Sequence, residues 1–198
     1  MSDGQTITGR KYNDGYDFYE TPDWATKKVV EALIRDGVLS EDDDILEPCC
    51  GAGAISDVLT KEFGFKNVQC SDVQTADCIK GVRGIDVYDI KDNSCDVVFT
   101  NPPYNLMTRK EAYGGSMLKE FLRIANKKVI LLVNVFFLSG KERKALLESS
   151  GLKHMYVHTD RVTMFPHGQP KPKNGGTKMF VWLVWEKGYE DKPTFDWL

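Results

Sequence analysis

Histidine is scarce in this chain, and no two of its cysteines form a C-x-x-C pair. The three histidines (His154, His158, His167) and five cysteines (Cys49, Cys50, Cys70, Cys78, Cys95) match no zinc-site spacing, so no metal is expected. Disulfides are not expected either. A basic-then-apolar leader and a long uncharged apolar run are both missing, and the expectation is a soluble, cytoplasmic protein with reduced thiols and no membrane partner. Charge of one sign is also lacking. A formal net charge of -3 excludes a chain that coats nucleic acid by bulk electrostatics, although a local basic patch still serves.

What is present suits one folded unit. The 198 residues, 41% hydrophobic and 28% charged, can fill a two- or three-layer core but leave little room for a second domain. The opening "MSDGQTITGRKYNDG", residues 1–15, has turn formers and no period, and reads as a flexible lead-in to a single domain over 16–198. A helix is predicted in "TPDWATKKVVEALIRDG", with Thr21 as cap, Pro22 in the first turn and Gly37 as stop. Ala25, Val29, Leu33 and Ile34 would form its apolar face.

From Ile45 onward, strand-like and helix-like runs alternate. "ILEP", "NVQCSD", "GIDVY", "CDVVFT", "KVILLVNVFF", "HMYVHT" and "KMFVWLVWE" are seven strand candidates, and "ISDVLTKEF", "SMLKEFLRIA" and "GKERKALLES" are helical. Ser139 and Glu142 would cap the last of these helices. The fold class is therefore α/β: a Rossmann-like, seven-stranded, mostly parallel sheet, closed by an antiparallel C-terminal hairpin and covered by helices on both faces. Asn134, within the buried run "VILLVNVFF", is either a satisfied core amide or a lining group, and Trp182 and Trp185 are packing residues.

Ligands of open α/β sheets sit beyond the carboxyl ends of the strands, at the switch in strand order. One segment there is "ILEPCCGAGAISDVL", a strand ending at Glu47 and then a turn in which Gly51 and Gly53 allow close backbone approach. Asp72 follows at the end of the next strand, where its carboxylate can accept from ribose hydroxyls. Gly-Lys-Ser/Thr is missing, and Ser56 stands where a dinucleotide fingerprint would want a third glycine. The ligand class is an adenosine without a phosphate tail. Glu47 would repel a pyrophosphate and pair with a cation, which points to S-adenosylmethionine. Cys49 and Cys50 are small apolar fillers in this turn.

The second segment is "DVVFTNPPYN", an apolar run that stops at two prolines. With "LEPCCGAG" before "TNPPY", the chain resembles class I, S-adenosylmethionine-dependent amino-group methyltransferases, especially the DNA N6-adenine enzymes in their gamma-type motif order. Its small size and "FVWLVWEKGY" ending also look like compact phage methyltransferases. The resemblance implies that Tyr19, Thr21, Pro22, Glu47, Pro48, Cys49, Gly51, Gly53, Asp72, Val73, Asp86, Val87 and Asn101 hold the cofactor, Asp86 at its adenine with Asp89 as the other register. It further implies that the Asn101 side-chain oxygen and the Pro102 carbonyl accept the two protons of an exocyclic amine, that Pro103 keeps this geometry rigid, and that Tyr104 stacks on the ring.

For DNA the target base must leave the stack and be held between aromatic walls. Phe165 is either the second wall or an edge aromatic. Basic side chains for the nucleic acid lie in the loop Asp160 to Lys178, with Arg161, Lys171, Lys173 and Lys178 against one acid, and in "NLMTRKEAYGG", with Arg109, Lys110 and Tyr113. Methylation of RNA adenine or of a protein glutamine amide uses the same planar amine, and both stay open. So does a non-catalytic module that keeps the fold to bind nucleic acid or protein, while a nicotinamide oxidoreductase has less in its favour.

Overall fold

Alternation of apolar side chains along the strands builds a sheet with two buried faces. A computed structural model describes residues 19–104, 106–107, 116–168, 176 and 178–198. The elements are β1 (Tyr19–Glu20), α1 (Asp23–Arg35), β2 (Ile45–Glu47), α2 (Ala54–Asp57), β3 (Val68–Asp72), β4 (Val82–Arg83), β5 (Cys95–Thr100), α3 (Met117–Ile124), β6 (Ala125–Asn134), α4 (Lys141–Ser149), β7 (Leu152–Val157), β8 (Phe165–Pro166), β9 (Phe180–Glu186) and β10 (Thr194–Trp197). The main sheet runs β10-β7-β9-β6-β5-β2-β3-β4, and every neighbouring pair is parallel except the two that β9 makes.

Ile45, Val97, Phe99, Ile130, Leu132, Trp182 and Val184 point to the face covered by α1 and α2. Their strand neighbours Leu46, Val98, Val129, Leu131, Leu183 and Trp185 point to the other face, under α3 and α4. Such two-sided burial is what near-continuous apolar strands require. Trp182 shows how tightly one side closes: its ring meets Phe99 edge-on at 5.2 Å, and its indole N–H donates to His158 Nε2 at 3.0 Å.

Several expectations need correcting. The sheet has eight strands, not seven: six of the seven candidates are strands, and two unexpected edges are added, β4 parallel to β3 and β10 parallel to β7. The antiparallel strand β9 lies between β6 and β7, so the hairpin does not form the sheet's edge. "GIDVY" is not a strand: Asp86 Oδ1 accepts from the Tyr88 amide and winds Val87–Asp89 into a 3₁₀ turn. α4 starts after Gly140, one residue later than a Ser139 cap would set it, and has no side-chain cap bond. Ile34 is 44% exposed, so the apolar face of α1 turns toward Thr26, Val30 and Ala32 instead. α2 continues as a π-helical turn over Val58–Glu62. Among the described residues no helix is long and apolar enough to cross a membrane, and residues 1–15 lie outside them.

Chain order and strand order diverge at β2. The chain leaves β2 for β3 and β4 on one side, then crosses to β5 and β6 on the other. The carboxyl ends of β2 and β5 therefore flank a crevice. Replacing Trp182 by alanine should cost about 3–5 kcal/mol, whereas Trp197→Ala on the exposed edge should stay within about 0.5 kcal/mol; urea unfolding of both variants checks the contrast.

Candidate functional site

Two loops at the crevice are tied together by one carboxylate. Asp72, buried at the end of β3, accepts from the Gly51 amide through Oδ2 at 2.9 Å and from the Gln74 amide through Oδ1 at 2.9 Å. The glycine turn after β2 is thereby fixed against the loop after β3, helped by Cys50 N to Ser71 O at 3.1 Å and Lys80 N to Gly51 O at 2.9 Å. Each carboxylate oxygen keeps a further lone pair for a hydroxyl. Val73 follows with 47% exposure, offering apolar surface beside that carboxylate.

Gly53 sits in this turn for a steric reason of its own. Its φ is +87°, and a Cβ there would come within 2.1 Å of the Lys80 side chain. The Lys80 stem crosses the turn and its ammonium pairs with Asp57. Gly51, at φ 51°, is the other left-handed residue of the turn. Pro48 is buried at its start, and Cys49 is half-buried against the α3 face of the sheet. Burial, with Asp72 and Glu47 nearby, pushes the Cys49 thiol well up, so it stays protonated and is a poor nucleophile at neutral pH.

Glu47 lies deeper than expected. The residue is 2% exposed and one carboxyl oxygen accepts from the Ser56 amide at 2.9 Å, at the start of the helix behind the turn. Burial, and next the charge of Cys70, raise the carboxyl well above the usual range despite the Ser56 bond. Its observed partner is thus the helix backbone.

Beside Asp72, whose carbonyl accepts from Ile85 N at 3.0 Å, Asp86 and the buried Val87 stand on the 3₁₀ turn, which Arg123 of α3 anchors through the Ile90 carbonyl at 2.6 Å and the Val87 carbonyl at 3.4 Å. Beyond β5, Asn101 uses both ends of its amide. Nδ2 donates to Thr21 Oγ1 at 3.1 Å, and Oδ1 accepts from the Tyr104 hydroxyl. Thr21, expected to cap α1, is instead bound to Asn101; Pro22 takes the cap position and its carbonyl accepts from Ala25 N. The Tyr104 ring packs on Phe180 with centroids 5.9 Å apart and planes tilted 38°. Pro102 is buried, and the Pro103 carbonyl accepts from Leu106 N at 3.0 Å.

A ribbon covers this edge of the site. β1 and β8 pair antiparallel, Tyr19 opposite Pro166 and Glu20 opposite Phe165, and His167 pairs with Glu20. Met164 Sδ lies 4.0 Å from Asn101 Nδ2, so the ribbon brings Tyr19, Thr21 and Phe165 into the neighbourhood of Asn101. Arg161 is exposed beside the ribbon strand β8 in sequence. Arg109, Lys110, Lys171, Lys173 and Tyr113 lie outside the described residues. Sequence reasoning missed Met164 and Phe136; Asn134, singled out as a core amide or a lining group, is a satisfied amide whose Oδ1 accepts from Phe136 N at 3.0 Å, while Phe136 itself is 70% exposed. The signal available was an asparagine followed by a small turn in an otherwise apolar run.

No family model and no curated protein matches the sequence. Solved structures do match in fold. A protein from Pyrococcus horikoshii, provisionally described as an RNA methyltransferase, is 16% identical with a TM-score of 0.57, over 85% of this chain and 86% of that one. The methyltransferase subunit of a type I restriction-modification system from Streptococcus thermophilus is 12% identical with a TM-score of 0.61 over 91% of this chain. This chain spans 47% of that subunit. Magnesium protoporphyrin IX methyltransferase from Synechocystis PCC 6803, solved with bound SAM, is 15% identical with a TM-score of 0.50, over 82% of this chain and 79% of that one. The chain shares the Rossmann-like, mostly parallel α/β fold of these structures.

The raised Glu47 carboxyl has a sign that stability can report. The native state holds this proton to higher pH than the unfolded chain, so its contribution is complete below the ordinary carboxylate value and is lost as pH rises through the native value. Glu47→Gln keeps an oxygen for Ser56 N and removes the charge. Urea unfolding from pH 5 to 8 should show the variant gaining on the wild type as pH rises.

Proposed function

We propose that this protein is an S-adenosylmethionine-dependent methyltransferase that modifies the exocyclic N6 amine of adenine in DNA. The observation that carries this reading is the set of Thr21, Asn101 and Tyr104, hydrogen-bonded in a row at the carboxyl end of β5, across the switch point from the turn held by Asp72. The fold shared with methyltransferases supports the reaction class. Restriction-modification relatives in fold support a nucleic-acid substrate.

The donor set fits the cofactor. Asp72 has lone pairs for two ribose hydroxyls, Val73 and Val87 offer apolar surface for an adenine ring, and Asp86 would accept from its amino group. Gly51, Gly53, Pro48 and Cys49 line the turn through their backbone, with Tyr19, Thr21 and Pro22 on the N-terminal side. Glu47 would act through the turn, by holding Ser56 N, more than by direct contact. When bound, S-adenosylmethionine supplies an electrophilic methyl group on a sulfonium.

An exocyclic amine is a weak nucleophile because its lone pair is delocalised into the ring. Accepting both N–H protons favours the pyramidal nitrogen whose lone pair is free. Asn101 Oδ1, with one lone pair taken by the Tyr104 hydroxyl and one left, and the Pro102 carbonyl are the two acceptors. Thr21 fixes which end of the Asn101 amide faces the amine, because its hydroxyl takes the Nδ2 donor. Pro103 restrains the backbone between the two acceptors. No side-chain nucleophile is needed, in keeping with the protonated Cys49. Tyr104 and Phe165 would bracket the base, and Arg109, Lys110, Arg161, Lys171 and Lys173 would meet phosphates.

RNA adenine and protein glutamine present the same planar amine, and the assay separates them. Labelled methyl transfer to unmethylated duplex DNA, single-stranded DNA, RNA and a protein extract should give N6-methyladenine in DNA, and Asn101→Ala should lower turnover about 100-fold or more while cofactor binding persists. Label in RNA or in glutamine would reassign the substrate. No label in any arm would contradict the enzymatic reading.

A further inference from the structure

The carboxyl-end rim carries apolar side chains that the reaction described above does not use. Phe136 is 70% exposed and Met179 is 54% exposed, and Val135 N, next to Phe136, donates to the Met179 carbonyl at 2.9 Å. They are therefore neighbours on one rim. Asn134 pairs with Phe180 across β6 and β9, and Phe180 carries the Tyr104 ring, so the rim continues directly from the proposed amine site. Single exposed apolar residues are ordinary, but a pair fixed in position beside a site is a recognition feature.

The backbone here is held, not loose. Asn134, itself buried, accepts from the Phe136 amide through Oδ1, and Arg143 Nη1 donates to the Phe136 carbonyl at 2.7 Å. Both backbone polar groups of Phe136 are thus satisfied while its ring stays in water. The neighbouring sequence is rich in cations: Arg143 reaches the Phe136 carbonyl, Lys141 precedes it in "FFLSGKERK", Lys144 pairs with Glu148 at 3.6 Å, and Lys178 precedes Met179. An aromatic face among cations suits a base with its phosphate, because every base has a π-face and the cations follow the backbone. A protein partner with an acidic, apolar segment is disfavoured by the small area that two side chains offer.

We propose that Phe136 and Met179 form a stacking ledge for a nucleobase, with Lys141, Arg143 and Lys178 along its phosphates; within the methyltransferase reading, on which this placement rests, it is the base adjoining the one modified. The ledge would hold strand that has left the duplex beside the modified base.

The test uses the full chain, a fluorescein-labelled single-stranded oligonucleotide, and the same oligonucleotide with abasic positions, read by anisotropy with S-adenosylhomocysteine present. Phe136→Ala should weaken binding of the first about tenfold, Phe136→Trp should restore it, and neither should alter binding of the abasic strand. Equal affinity of wild type and Phe136→Ala for the base-containing strand overturns the ledge. So does an equal loss on both strands, which would mark a phosphate effect, or a loss that Trp does not restore. Labelled methyl transfer by the wild type judges the other reading separately: transfer with no Phe136 dependence of binding removes only the ledge, and Phe136-dependent binding with no transfer to any substrate removes only the enzymatic reading.

Discussion

The site depends on the two hydrogen bonds that fix the Asn101 amide. An asparagine amide is nearly symmetric in shape, so its usefulness as an acceptor depends on which end its neighbours take. Thr21, 80 residues away in sequence, takes the nitrogen, and Tyr104 holds the oxygen. Because Thr21 follows β1, the β1–β8 ribbon, the start of α1 and the end of β5 are all tied to that one side chain. Loss of the ribbon pairing would leave the amide free to turn over.

The fold delivers these parts by layering. β5 and β6 sit in the middle of the sheet and are buried on both faces, so their carboxyl ends are rigid platforms from which Asn101 and Asn134 emerge. Beyond those ends the chain turns immediately, through the two prolines after β5 and the 3₁₀ turn after β6. Asp72 performs the same service for the adjoining crossover by joining the turn after β2 to the loop after β3. Polar groups at the rim are thus positioned by backbone that the core does not let move.

Much of this was legible in the sequence, for a physical reason. Strands buried on both faces, such as β5, β6 and β9, are apolar at successive positions and cannot be mistaken for surface structure. The alternation of strand and helix then fixes a parallel sheet and a switch point. Edges are harder. β10 escaped notice because "TFDW" is only four residues long and its one apolar face, Phe195 against Trp197, stays about half exposed at the sheet's edge. "GIDVY" resembles a strand by alternation, but the Asp86 side chain competes for the backbone and wins. Thr21 has a cap's sequence context, and only the distant Asn101 shows that its hydroxyl is used elsewhere. Glu47 looked like a ligand-facing acid, yet its depth was invisible without knowing that the helix after the turn folds back over it.

The most direct test of the account is equilibrium binding of S-adenosylmethionine by calorimetry, comparing the wild type with Asp72→Ala and Asn101→Ala, each checked for folding. One cofactor per chain is expected, weakened about tenfold or more by Asp72→Ala and far less by Asn101→Ala, since only Asp72 would contact the ribose through charge-assisted hydrogen bonds. A folded wild type that takes up no S-adenosylmethionine at millimolar concentration, or one that binds it with no dependence on Asp72, would contradict the central claim.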